Sequence, residues 1–236
     1  MKTNWDRRKG TWRLVAAALV TAACPGAATT GSASSLSVAP SSTPVVTSIQ
    51  RTFIGVGEHP TVTVDAPSPP WTPFKEFGLT SDCCGVGFWD VGEVARNPCH
   101  SIGHLYDPGP TVDDLVAALE AQSMRHATKP TDVTLAGYSG KYLEWSVPAG
   151  MKVTGDADFA RCDVQPDGHR NFTSWVGAGG IGERWQQMAG QVDRLWVLDV
   201  NGQRLVVDAN YAPDTTQAQR DEEDRVVQSI QFIGAT

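Results

Sequence analysis

The chain has 236 residues, with 19 Lys and Arg against 26 Asp and Glu and a formal net charge of −7. Such an acidic balance repels phosphate backbones and argues against a nucleic-acid partner. Beyond the first two dozen residues there is no apolar run long enough for a transmembrane helix.

Lys2, Arg7, Arg8, Lys9 and Arg13 form a cationic head, and the apolar run VAAALVTAAC follows from Val15 to Cys24. Small residues beginning Pro25-Gly26-Ala27-Ala28 come next. Head, short apolar segment and small-residue exit make a secretory signal peptide over residues 1–24, too short to cross about 30 Å of hydrocarbon stably. Thr21-Ala22-Ala23-Cys24 resembles the lipobox of bacterial lipoproteins, with Thr21 where that pattern prefers Leu. The resemblance implies that Cys24 becomes the lipidated first residue of the mature chain, held by palmitate-type acyl chains to the outer face of the cytoplasmic membrane. The other reading is ordinary cleavage further on, near Ala33, releasing a secreted protein. Arg7-Arg8 lacks the bulky apolar residues of a twin-arginine signal, because Lys9-Gly10-Thr11 follow.

Cleavage removes five of the 19 basic residues and one of the 26 acidic ones, leaving 14 against 25 and a net charge of −11. Residues 25–50 are rich in Ser, Thr, Ala, Gly and Pro, and read as a disordered linker that cannot bury enough apolar surface to fix one conformation. From Arg51 to residue 236 the composition turns globular, with Trp71, Trp89, Trp145, Trp175, Trp185 and Trp196 spread along it. About 185 residues suffice to bury roughly 70% of an unfolded chain's surface in one domain.

In chain order, Thr61–Val64 and Gly85–Val91 read as strands. Thr111 can cap a helix whose Val112, Leu115, Val116 and Leu119 share one face, with Asp113 and Asp114 near its positive end. Val133–Leu135 and Lys141–Val147 read as a hairpin joined across Gly137 and Gly140, placing Leu143, Trp145 and Val147 on one side. Phe172–Val176 is a further strand. Asn201-Gly202 between two β-rich runs suits a type I′ turn, since both central positions need positive φ. Pairing Val200 with Gln203 puts Trp196, Leu198, Leu205, Val207 and Tyr211 on a core face and Asp199 with Arg204 on the other. A last helix, from Thr215 to Ile230, has apolar residues only in its final turns, so Gln219–Asp224 should lie in water. The sum is an α+β fold, mostly antiparallel β-sheet with two packed helices.

Several motifs come close to known chemistry. Gly177, Gly179 and Gly182 satisfy G-x-G-x-x-G, but the following stretch is too short for a helix and a parallel strand, so a surface turn is expected. Gly137-Tyr138-Ser139-Gly140 approaches a nucleophile elbow without its second Gly in place, and Ser139 reads as a turn residue. Cys99, His100 and His104 are soft metal ligands, with Cys83 and Cys84 upstream. Pro98, Gly103, Pro108 and Pro110 make that segment a loop, so the histidines are expected to face solvent and no metal is assigned. With Cys24 lipidated, Cys83, Cys84, Cys99 and Cys162 remain in an oxidising compartment, which favours disulfides and leaves three pairings open. No cofactor motif is present.

From Gly85 onward the blocks GVGFWDVGEVARNPC, GPTVDDLVAALEAQ, PTDVTLAGYSGKYLEWSVPA, QVDRLWVLDVNGQRLVVDANY and RVVQSIQF follow one another. They resemble an uncharacterised domain of secreted proteins and lipoproteins from high-GC Gram-positive bacteria. The closing order of hairpin, acidic helix and short strand resembles the PsbP-like α/β/α sandwich. The first resemblance implies a Cys99–Cys162 disulfide and an apolar residue where this chain has Glu223. Neither implies an activity. The function expected is a non-catalytic ligand-binding or protein-interaction module of the cell envelope, its partner an envelope protein or a small ligand. Trp89, Trp145, Trp175 and Trp185 are the candidate ligand-binding residues. The alternative is a secreted envelope hydrolase with an unrecognised active site, for which His100, His104 and Asp107 are local candidates.

Overall fold

In the computed structural model, which describes residues 47–155, 157–180 and 182–234, the Asn201-Gly202 turn is the centre from which the fold builds. Both residues have positive φ, 57° and 84°, as the two-residue hairpin requires. The elements in chain order are β1 (Ser48–Ile54), β2 (Thr61–Ser68), β3 (Thr72–Phe74), β4 (Gly78–Thr80), β5 (Cys84–Trp89), β6 (Val91–Ala95), β7 (Leu105–Tyr106) and α1 (Val112–Glu120). Then come β8 (Thr131–Leu135), β9 (Tyr138–Ser146), β10 (Val153–Thr154), β11 (Asp158–Phe159), β12 (Thr173–Gly177) and β13 (Glu183–Trp185). The chain closes with β14 (Val192–Val200), β15 (Gln203–Tyr211), α2 (Gln217–Gln228) and β16 (Gln231–Ile233). Among the described residues no helix is long and apolar enough to cross a membrane. The signal peptide, Cys24 and nearly all of the linker lie outside the described residues; Ser48–Gln50, counted with the linker above, pair with Ala66–Ser68 as the start of β1.

A seven-stranded antiparallel sheet, ordered β3-β4-β5-β15-β14-β9-β8, forms the middle layer. The register of β14 on β15 is the expected one, with Val200 opposite Gln203, Leu198 opposite Leu205 and Trp196 opposite Val207. Leu198, Val200, Leu205, Val207 and Ala209 pack with Val62 and Val64 of β2 and Val226, Val227 and Ile230 near the end of α2. A three-stranded sheet, β1-β2-β16, and α2 therefore cover this face.

The opposite face, on which the sequence places Asp199 with Arg204, is also largely buried. Leu195, Val197 and Val206 project from it, with Leu143 and Trp145 of β9, onto α1 and onto Val91, Val94 and Trp175 of the four-stranded sheet β13-β12-β6-β7. Asp199 and Arg204 do stand opposite each other, but each is otherwise engaged. Asp199 accepts from the Gly202 amide at 2.7 Å, and Arg204 donates to the carbonyls of Gly109 and Val91. Both faces of these strands are thus largely covered, the second one carrying Asp193 and Asp208 among its apolar residues.

Helix α1 begins as expected. Thr111 accepts from the Asp114 amide at 3.1 Å and Asp114 accepts from the Thr111 amide at 3.0 Å, a reciprocal capping box. In helix α2 Gln219 and Asp221 are exposed as expected, and the departure is at Glu222 and Glu223. Glu223 is fully buried and Trp71 donates from Nε1 to Glu222 at 2.8 Å, so these two acids dock the helix while its other side faces water. The second hairpin is tighter than expected: Ala136 and Gly137 alone make the turn, both at positive φ, and Ser139 and Gly140 belong to β9. A Cβ on Gly140 would lie on the Val197 carbonyl oxygen, far inside van der Waals contact, so glycine serves close strand approach there.

Candidate functional site

The four candidate tryptophans divide. Trp89, Trp145 and Trp175 are buried and form one aromatic stack, with centroids 5.9 Å apart for Trp89 and Trp175 and 6.0 Å for Trp145 and Trp175. They occupy the core between the central sheet, α1 and the four-stranded sheet. Trp185, in β13, is half-buried.

Beside this stack lies a cluster of buried charges that none of the motifs announced. Asp193 of β14 and Asp208 of β15 project from the second face of the central sheet toward Arg184 of β13, which donates to both. Arg125, in the loop after α1, reaches the Asp193 carboxylate at 3.6 Å. Its guanidinium stacks 4.3 Å from the Trp145 centroid and 4.7 Å from that of Phe172, and donates to Ser174 Oγ. Trp145 Nε1 and Gln191 Nε2 donate to Asp193 at 3.0 and 2.9 Å. Two Arg and two Asp balance in charge, and all four are buried.

Burial shifts these groups as a low dielectric should. It pulls the Arg125 guanidinium down to about 9, with Asp193 opposing, and pushes the Asp208 carboxyl up to about 6, against the pull of Arg184. Perturbed groups often mark active sites, yet buried ion-pair networks produce the same shifts. Here the two cations and two anions face one another inside the core, although Arg125 Nε and Nη1 and Asp208 Oδ1 have no hydrogen-bond partner there, and the arrangement fixes β13 and the loop of Arg125 onto the sheet. The sequence did carry a signal for it: Asp193 and Asp208 alternate with Leu195, Val197 and Val206, so they share a buried face.

A second charged cluster lies on the other face. Arg194 donates to Glu223 at 2.6 Å and to Asp224, with its guanidinium 5.7 Å from the Trp196 centroid and 5.8 Å from that of Tyr211. Burial pushes the Glu223 carboxyl up to about 8, against the attraction of Arg194. Glu223, where the family resemblance implied an apolar residue, thus anchors α2 by accepting a hydrogen bond from Arg194.

Cys99 and Cys162 form a disulfide across 63 residues, as that resemblance implied. Cys83 and Cys84 are free. The bridge packs with Val147, Phe159 and Phe172 in a small core of its own, and it takes Cys99 out of the ligand set considered with His100 and His104. It also brings the next residues together, since His100 Nδ1 lies 2.9 Å from Asp163 Oδ1 at the surface. His104 is exposed and Asp107 accepts from the Gly109 amide at 2.8 Å; among the described residues no hydrogen bond or ion pair joins His100, His104 and Asp107. The glycine run is the connection between β12 and β13, which pair as an antiparallel hairpin. That geometry has no helix N-terminus to receive a pyrophosphate.

A concave surface lies at the end of the central sheet near the Asn201-Gly202 turn. One depression of about 360 Å³ is lined by His59, Glu58, Asp90 and Arg204, and a second of about 490 Å³ adjoins it past Arg204 toward the start of α1. His59 and Asp90 carried no motif, because a loop residue and a strand end distant in sequence meet only through the sheet topology. No protein-family model, curated protein or solved structure matches this chain.

Proposed function

We propose that the protein is a lipid-anchored extracytoplasmic module of the cell envelope that binds a small ligand or an envelope protein and is non-catalytic. The cationic head, short apolar run and Cys24 at the end of small residues support the address and the anchor. The observation that carries the binding reading is the buried, charge-balanced Arg125, Arg184, Asp193 and Asp208 cluster. The strongly shifted groups of the interior are spent on joining layers, which leaves recognition to the surface. The PsbP-like α/β/α sandwich belongs to the same proposal: α1 and α2 pack on opposite faces of the central sheet, the layering such a fold would have. Trp185, at the edge strand β13, is the candidate tryptophan closest to a surface role.

The alternative, a secreted envelope hydrolase, is favoured by one contact, the exposed His100 and Asp163 pair at 2.9 Å. Cross-linking of the tethered full chain in envelope membranes, followed by identification of captured components, tests the proposal. Specific capture through the domain surface supports it. Hydrolysis of an envelope substrate that disappears in His100→Ala would replace it with the alternative.

A further inference from the structure

The depression beside the Asn201-Gly202 turn has the features of a built site. His59 is nine-tenths buried, lines the depression, and has no hydrogen-bond partner at Nδ1. That nitrogen is itself closed to solvent, so His59 forms a wall of the depression and the carboxylates beside it are what an occupant would meet. Beside it stand two carboxylates, Asp90 and Glu58, whose side chains have no hydrogen bond or ion pair among the described residues. Arg204, the one cation lining this depression, is committed to the wall: its two terminal nitrogens donate to the carbonyls of Gly109 and Val91. Asp107, Asp90 and Asp114 act on its charge.

We propose that this depression binds a small organic cation carrying a primary ammonium, held by the Asp90 and Glu58 carboxylates against the His59 ring. The inference rests on the binding reading above and names the ligand class for it. A volume of about 360 Å³ fits a small molecule. The adjoining depression extends the negative field through Asp113 and Asp199, while its Lys141 is paired with Asp132 at 2.6 Å. Burial pulls the His59 imidazole below its ordinary value, with Asp90 opposing, so the ring is neutral near pH 7 and does not repel a cation. An inorganic cation has less to hold it, since no group of three acidic, His or Cys side chains suited to a metal occurs among the described residues. The domain's overall negative charge steers cations toward the surface.

The test is an NMR titration of the full mature chain with cadaverine, followed at His59 and at the amides of Gly57 and Asp90, with phosphate and N-acetylglucosamine as parallel probes. Cadaverine should give saturable shifts at these residues. Asp90→Asn should weaken binding about tenfold or more, the range for a hydrogen bond to a charged group. Glu58→Gln, on an exposed turn, gives a second variant if Asp90→Asn fails to fold. No saturable shift with cadaverine, or unchanged affinity in both variants, overturns the inference. If phosphate or N-acetylglucosamine moves the same signals and cadaverine does not, the cation is wrong while the binding module stands. If none of the three moves them, the inference falls and the binding reading rests on the cross-linking result alone.

Discussion

Replacing Asp193 with Asn should unfold this domain more readily than its small change in shape implies. Asp193 is fully buried, and its two oxygens only accept: Oδ1 from Arg184 and Gln191, Oδ2 from Trp145 and Gln186, with Arg125 beyond at 3.6 Å. An amide has one oxygen and one NH2, so in either orientation its NH2 faces donors. The substitution also leaves two buried guanidiniums with the single carboxylate of Asp208. Breaking a buried pair from one side costs ~3–5 kcal/mol. For a domain of this size that is roughly 10 °C in Tm. Urea unfolding at neutral pH measures it, with the slope of the transition checked against the parent chain. Removing Arg125 at the same time, as Arg125→Met with Asp193→Asn, restores one Arg to one Asp, and the double variant should lose at least ~1 kcal/mol less than the two single losses together. A single-variant loss below ~1 kcal/mol, or strict additivity, would refute the view that the cluster joins the layers through its charges.

Three further outcomes follow from the geometry. Joint replacement of Cys99 and Cys162 by Ser should lower stability by up to about 4 kcal/mol, as expected for a bridge closing 63 residues, and unfolding of the parent chain with and without reductant should reproduce the difference. Glu223 holds a proton in the folded chain up to about pH 8, whereas the unfolded chain releases it near 4.5. The folded state binds the extra proton between these values, so its contribution falls as pH rises through that window; Glu223→Gln should flatten the decline, and an unchanged slope counts against burial as its cause. Gly140→Ala should destabilise by about 1–3 kcal/mol through overpacking against the Val197 carbonyl, read from thermal unfolding, while an unaffected Tm would show that the strands separate readily there.

What was legible in the sequence was local. Asn201-Gly202 set the register of β14 on β15, and Thr111 with Asp114 marked the start of α1, because turn and cap chemistry act within a few residues. The second face of the central sheet was harder to see. Its Leu195, Val197 and Val206 share it with Asp193, Asp199, Arg204 and Asp208, and so many charges on one face mask its burial. Glu223 and Glu222 looked like solvent residues because their partners, Arg194 and Trp71, are distant in the chain. Gly140 read as a turn residue since the reason for glycine, the neighbouring β14 backbone, is a tertiary contact. The depression at His59 gave no signal at all: its walls come from the β1–β2 connection, the end of β5 and the β14–β15 hairpin, which only the folded sheet brings together.

Everything proposed for the surface depends on where the chain resides and how it is held. Mass spectrometry of the mature protein purified from its native envelope reads this directly. An amino-terminal peptide that begins at Cys24 and carries acyl chains on its sulfur is the result expected. An unprocessed Met1 terminus without acyl groups, recovered from the cytosol, would contradict the anchor, the compartment and the envelope role together.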